Sequence, residues 1–176
     1  MPDEPTDGHH RFALALLAPP AGATVLEFGA GAGAGAGSAQ VLAQDPNARA
    51  VVVGRGASAV GRIGLLLGEE LTAGRVTVLD VDLAEVELPP ASIGAAFGVD
   101  AHAFWRSMAL YELAALHHAL VPGAPLVVAY GPEPTGSPSR AAAVLATVAA
   151  ALTSGGFAVE REVIESEGYA VVARRP

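Results

Sequence analysis

The chain has 176 residues, 52% hydrophobic and 16% charged, with 18 acidic against 10 basic side chains, a net charge of −8 and no cysteine. This composition is that of a globular chain long enough for one real core, not of a disordered one. The missing cysteines exclude disulfides, thiolate nucleophiles and Cys-ligated zinc, and an acidic surface with scattered basic residues speaks against a nucleic-acid partner, whose binding rests on neutralised phosphates.

The opening "MPDEPTDGHH" is acidic and proline-bearing, without the basic start and apolar block of a signal peptide, so a cytoplasmic location is expected. No apolar run approaches the roughly 18 residues of a membrane span, and no membrane partner is expected. One domain is expected over 1–176, with 1–23 as a lead-in. In that lead-in a short helix is predicted over 9–17, stopped by Pro19 and Pro20. His9 and His10 lie on it and are expected in a mobile N-terminus, with a place lining the pocket as the alternative.

Apolar β-like runs and helix-length segments then alternate. "TVLEF" (24–28) precedes a helix near 36–44, and "ARAVVV" (48–53) precedes one near 57–71 in which Val60, Ile63, Leu67 and Leu71 form a one-sided stripe. "RVTVLDV" (75–81) and "IGAAFGV" (93–99) read as further strands. A helix over about 104–120 ends at "VPGAP", and "LVVAY" (126–130) follows as a buried strand. The next helix has Ser137 or Ser139 as N-cap and Gly155 or Gly156 as its stop. "FAVEREVIE" and "YAVVARR", around "SEG", read as a closing hairpin. The order predicts an α/β fold: a doubly wound, Rossmann-like, seven-stranded sheet, parallel except for an antiparallel last strand.

Between the first strand and first helix, every second residue from Gly29 to Gly37 is glycine. In an open parallel sheet this turn usually holds the nucleotide part of a cofactor, and glycine there permits positive φ and close backbone approach. Gly29, Gly31 and Ala34 satisfy the dinucleotide pattern G-x-G-x-x-G/A, although an alternating tract meets it almost freely. Glu27, Gly29, Gly31 and Gly33 also spell E-x-G-x-G-x-G. That pattern resembles motif I of class I S-adenosylmethionine-dependent methyltransferases, of the type 11-like kind.

The resemblance runs on through most of the chain. "VTVLDVDLAEVELPPASIGAAF" is similar to the family's acidic strand end, leucine-proline turn and fourth strand. "ELAALHHALVPGAPLVVA" is similar to its "ELxRVLxPGGxLxxx" segment, with Glu112, Leu113, Pro122 and Gly123 matching, and "SGGFAVEREVIESEGYAVVARRP" to its closing strand pair. The resemblance implies methyl transfer from S-adenosylmethionine to a small-molecule acceptor. Glu27, Gly29, Ala30, Gly31 and Gly33 would cradle the cofactor's amino-acid end, with Gly54 and Arg55 near the ribose and Asp82 and Leu83 at the adenine. It leaves a homo-oligomer, or a partner chain over the pocket, open. The alternative is a methyltransferase-like protein that binds, regulates or catalyses something else in the same pocket.

Two positions depart from the family. Its second strand normally ends in Asp or Glu, which accepts hydrogen bonds from both ribose hydroxyls; here Gly54 stands there, then Arg55. A charged hydrogen bond contributes about 1.5–3 kcal/mol, so its loss should weaken binding roughly ten- to a hundredfold unless another group substitutes. Arg55 also admits an NADP reading, in which it meets a 2′-phosphate, or an ordinary surface role. Gly94 stands where the family often has Asp at the start of the fourth strand. After that strand, "GVDAHAFW" is expected at the acceptor. It offers His102 as a base or as a surface or capping histidine, and Asp100 and Trp105 as substrate contacts, Trp105 serving equally as a core anchor. His117 and His118 read as structural, at a helix C-terminus. No ligand spacing indicates a metal.

Overall fold

The alternating segments fold as their periodicities require. The computed structural model describes residues 5–29, 33–132 and 137–176. In chain order these form helix α1 (Pro5–Leu17), strand β1 (Thr24–Phe28), α2 (Ala36–Gln44), β2 (Arg49–Val53), α3 (Ala57–Thr72) and β3 (Val76–Leu79). A single 3-10 turn (Leu83–Glu85), β4 (Ala95–Val99), α4 (Ala103–Arg106), α5 (Leu110–Ala119) and β5 (Pro125–Tyr130) follow, then α6 (Pro138–Ser154), β6 (Ala158–Glu165) and β7 (Gly168–Arg174).

The seven strands make one sheet in the order β3-β2-β1-β4-β5-β7-β6. β1 pairs in parallel with β2 on one side and β4 on the other, Leu26 facing Val51 and Ala96. β7 runs antiparallel to both of its neighbours, β5 and β6, so the last strand is the one reversed, as expected. The strand order turns back beside β1, and a crevice opens beyond the carboxyl ends of β1 and β4, where doubly wound sheets take their ligands.

Side chains alternate across each strand, so the sheet carries two cores. Leu26, Phe28, Val51, Val53 and Ala96 pack on one face with Phe104, Leu113, Leu116 and Leu145 from α4, α5 and α6. Val25, Val52, Ala95 and Phe97 pack on the other with Phe12, Val41, Ile63 and Leu67 from α1, α2 and α3. Burial of a Leu, Val or Phe contributes about 1.5–3 kcal/mol, and sandwiching by helices is why β4 and β5 are buried along their whole length.

Three expectations need correction. The helix over 104–120 is two helices, because Ala109 takes a left-handed φ of 46° and its N–H bonds back to Ser107 Oγ at 3.3 Å. The fourth strand starts at Ala95; Ile93 keeps only one isolated bridge, to Leu120. His9 and His10 are not in a loose lead-in: Phe12, Ala13 and Leu17 bury α1 against the sheet, and His10 goes in with them. Ser137 takes the N-cap position of α6 with Pro138 next, but its hydroxyl meets Ser139 Oγ at 3.0 Å in place of a capping bond. His117 packs edge-on against Phe157, with ring centroids 5.5 Å apart, while His118 is exposed.

Candidate functional site

β1 delivers Glu27 to the face of the sheet covered by α1, α2 and α3, in line with Val25. There it is buried, and the amino end of α2 points at it. Its carboxylate accepts the N–H of Gly35 at 2.9 Å and that of Ser38 at 2.7 Å. Four N–H groups at a helix start have no partner within the helix, and a carboxylate both satisfies them and meets the positive end of the helix dipole. His10 Nε2 lies 3.4 Å from the same carboxylate, both side chains being buried. Glu27 therefore grips the far end of the glycine loop from below.

Gly29 opens that loop at φ 125°, and a Cβ there would run into the Val99 carbonyl of β4. Only glycine fits so close to the neighbouring strand. Ala30 and Gly31 lie outside the described residues. Gly33 closes the turn by accepting the Ala36 N–H at 3.0 Å. Together with His10, Glu27, Gly29, Val99 and Asp100, it lines a small cavity of about 20 Å³ beneath the loop.

A larger cavity, about 350 Å³, lies at the carboxyl ends of β1 to β4. Phe28, Gly29, Val53, Arg55, Asp82, Leu83, His102, Phe104 and Glu112 line it. Its size falls in the range of small-molecule sites. The Tyr130 hydroxyl, stacked on Tyr169, donates to the Ala101 carbonyl at 3.1 Å and steadies the wall that carries His102. Burial, with Tyr169 and Asp100 nearby, pushes the Tyr130 phenol far above its ordinary range.

The structure thus brings Gly29, Arg55, Asp82, Leu83 and His102 to one cavity. Glu27, Gly33 and Asp100 face the smaller one beneath, and Gly54 and Trp105 line neither. Gly54 is buried, and its N–H donates to the Leu79 carbonyl at 3.0 Å. Its φ is not positive; a Cβ there would crowd the flexible tip of Ile63, at 2.7 Å, and touch Ala59 Cβ at 3.5 Å. Gly94 has a packing reason, since a Cβ there would sit 2.9 Å from Ala23 Cβ.

Arg55 is exposed and forms an ion pair with Asp82. That bond, with the charges of Glu85 and Asp80 around it, raises the guanidinium pKa above its ordinary value. Asp80 accepts the Gly56 N–H at 2.6 Å and so fixes the turn after β2. Asp100 sits at a left-handed φ of 54°, which a non-glycine residue rarely adopts. Its carboxylate accepts the Gly131 N–H at 3.2 Å and lies 3.7 Å from His9 Nδ1. Trp105 is half-buried, with Arg106 5.0 Å from its ring centre and His102 at 5.9 Å.

Sequence reasoning missed the apolar lining from Phe28 and Val53, which strand ends supply without any chemical signature. Among the described residues no helix is long and apolar enough to cross a membrane.

No family model and no curated protein matches the sequence. Solved structures do match the fold. The geranyl diphosphate C-methyltransferase of Streptomyces coelicolor A3(2), solved with Mg2+, geranyl diphosphate and S-adenosyl-L-homocysteine, is 12% identical over 95% of this chain and 78% of its own, with a TM-score of 0.72. A SAM-dependent methyltransferase from Aquifex aeolicus is 19% identical over 99% of this chain and 94% of its own, at 0.74. The [4+2]-cyclase SpnF is 14% identical over 97% and 80%, at 0.75. With its strand order, its reversed last strand and these neighbours, the chain has the fold of the class I S-adenosylmethionine-dependent methyltransferases.

Proposed function

We propose that this protein binds S-adenosylmethionine in the 350 Å³ cavity and methylates a small molecule. The observation that carries the reading is convergence. A glycine that admits no side chain, a loop held by a buried carboxylate, and Asp82 and Leu83 from beyond β3 all meet at the strand ends where this fold takes its ligands.

The residues fit the group. Gly29 leaves room for close approach of the amino-acid end, Leu83 and Phe28 offer apolar surface to the adenine, and Asp82 offers acceptors. When bound, the cofactor supplies an electrophilic methyl group. The protein's part is then to hold an acceptor in line and exclude water, because such transfer depends chiefly on positioning. His102, which lines the cavity, is the base for a hydroxyl or protonated-amine acceptor; Trp105, packed beside His102 outside the cavity lining, and Asp100, in the smaller cavity next to it, would meet only an acceptor that extends past it.

The NADP reading of Arg55 is disfavoured. Asp80, Asp82 and Glu85 surround the guanidinium, and a 2′-phosphate would face their like charge at the price of an existing ion pair. A different reaction in the same pocket draws on one neighbour, the cyclase SpnF, and no residue of this site favours it.

Calorimetric titration with S-adenosylmethionine and S-adenosylhomocysteine tests the reading. Dissociation constants in the micromolar range are expected; no heat of binding at millimolar ligand would overturn it.

A further inference from the structure

The end of β2 carries no carboxylate, yet a carboxylate is tied to it from elsewhere in the chain. Gly54 offers the cavity no side chain, and its N–H is already engaged by the Leu79 carbonyl at 3.0 Å. The next residue, Arg55, reaches along the cavity wall and pairs with Asp82, which lies 27 positions further on and beyond the end of β3. The main chain of Asp82 is held as well, its N–H directed at Glu85 Oε2 at 3.4 Å.

The other acids nearby do not compete for this place. Asp80 is spent on the Gly56 N–H at 2.6 Å and faces neither cavity. Glu112 also lines the cavity, from α5, but the side chain that Arg55 pairs with is Asp82. Among the described residues, Asp82 alone both lines the cavity and is bonded to the residue that follows Gly54.

We propose that Asp82, drawn to the end of β2 by Arg55, is the carboxylate that receives the ribose hydroxyls of the cofactor, with Arg55 as its positioning residue. The inference rests on the cofactor reading above, and it moves Asp82 from the adenine to the ribose. The chemistry suits the move. Two adjacent hydroxyls are two donors, and an ionised carboxylate is acceptor-only with about four lone-pair sites, so acceptors remain beside the Arg55 guanidinium and the Glu85 N–H that Asp82 caps.

The test compares S-adenosylhomocysteine with its 2′-deoxy and 3′-deoxy analogues and with an analogue lacking the 6-amino group, by calorimetry. It uses the full chain as wild type, Asp82→Asn, Asp82→Ser, Arg55→Ala and Arg55→Lys. Asp82 and Arg55 are exposed enough for the variants to fold, which thermal unfolding checks. The wild type should bind the deoxy analogues roughly ten- to a hundredfold more weakly than the parent, the range of one charged hydrogen bond. In both Asp82 variants that ratio should fall to about threefold or less, while the penalty for losing the 6-amino group stays. Arg55→Ala should lower the ribose ratio and Arg55→Lys should keep most of it.

A ribose ratio untouched by Asp82→Asn, or a loss confined to the 6-amino ratio, overturns the inference and returns Asp82 to the adenine. Absence of any binding by the wild type overturns the cofactor reading itself, which is a distinct result.

Discussion

Glu27 is the residue whose chemistry is least replaceable. Strand alternation puts it on a buried face, where an acid would be costly unless fully bonded. Two backbone N–H groups and the adjacent His10 meet that need. Glu27→Gln keeps the shape but turns one accepting oxygen into a donor aimed at another donor. A loss of about 1–3 kcal/mol is expected. In a chain of this length that lowers the unfolding midpoint by roughly 2–4 °C per kcal/mol, readable by calorimetry. An unchanged midpoint would show that the carboxylate does not hold the loop. The sequence marks Glu27 as part of a motif, but whether it touches ligand or backbone depends on the direction of α2, which no local pattern contains.

At the scale of elements, caps and ties decide where segments begin and stop. Asp45, just past α2, accepts the Gly22 N–H at 2.6 Å and the Asn47 N–H at 2.8 Å, joining the turn before β1 to the turn before β2. These backbone bonds, with Gly22 the larger contributor, hold its carboxyl below the ordinary 3.8. A depressed pKa stabilises the fold fully above the unfolded value, and that contribution is lost as pH falls through the folded one. Asp45→Asn should therefore melt slightly lower than the wild type at pH 7, and the gap should close below pH 3.8. A gap independent of pH would mean that the tie is not electrostatic. The split between α4 and α5 shows where element reading fails: "RSMA" has neither Gly nor Pro, and Ala109 enters the left-handed region because Ser107 and the packing of Phe104 and Leu113 require the turn.

For the whole molecule, the last strand is the test of cooperativity. β7 lies between β5 and β6, buried from Gly168 to Ala173, and bonded on both sides. A chain ending at Ser166 would leave two unpaired edges and open both cores, so it should lack a near-ultraviolet dichroism signal and a cooperative melt. A native-like melt in that truncation would contradict the sheet order. The sequence alone determined the order of strands and helices, apart from the break at Ala109, and the reversed last strand, because hydrogen bonding along a helix, alternation along a strand and a closing hairpin are local. Tertiary structure alone decided the rest. The pairing of Arg55 with Asp82, the facing of Asp100 to Gly131 and the burial of His10 over Glu27 join residues far apart in the chain. Such contacts follow from which strands lie side by side and how helices cross them, and burial of the summed apolar surface selects that arrangement, not any single segment.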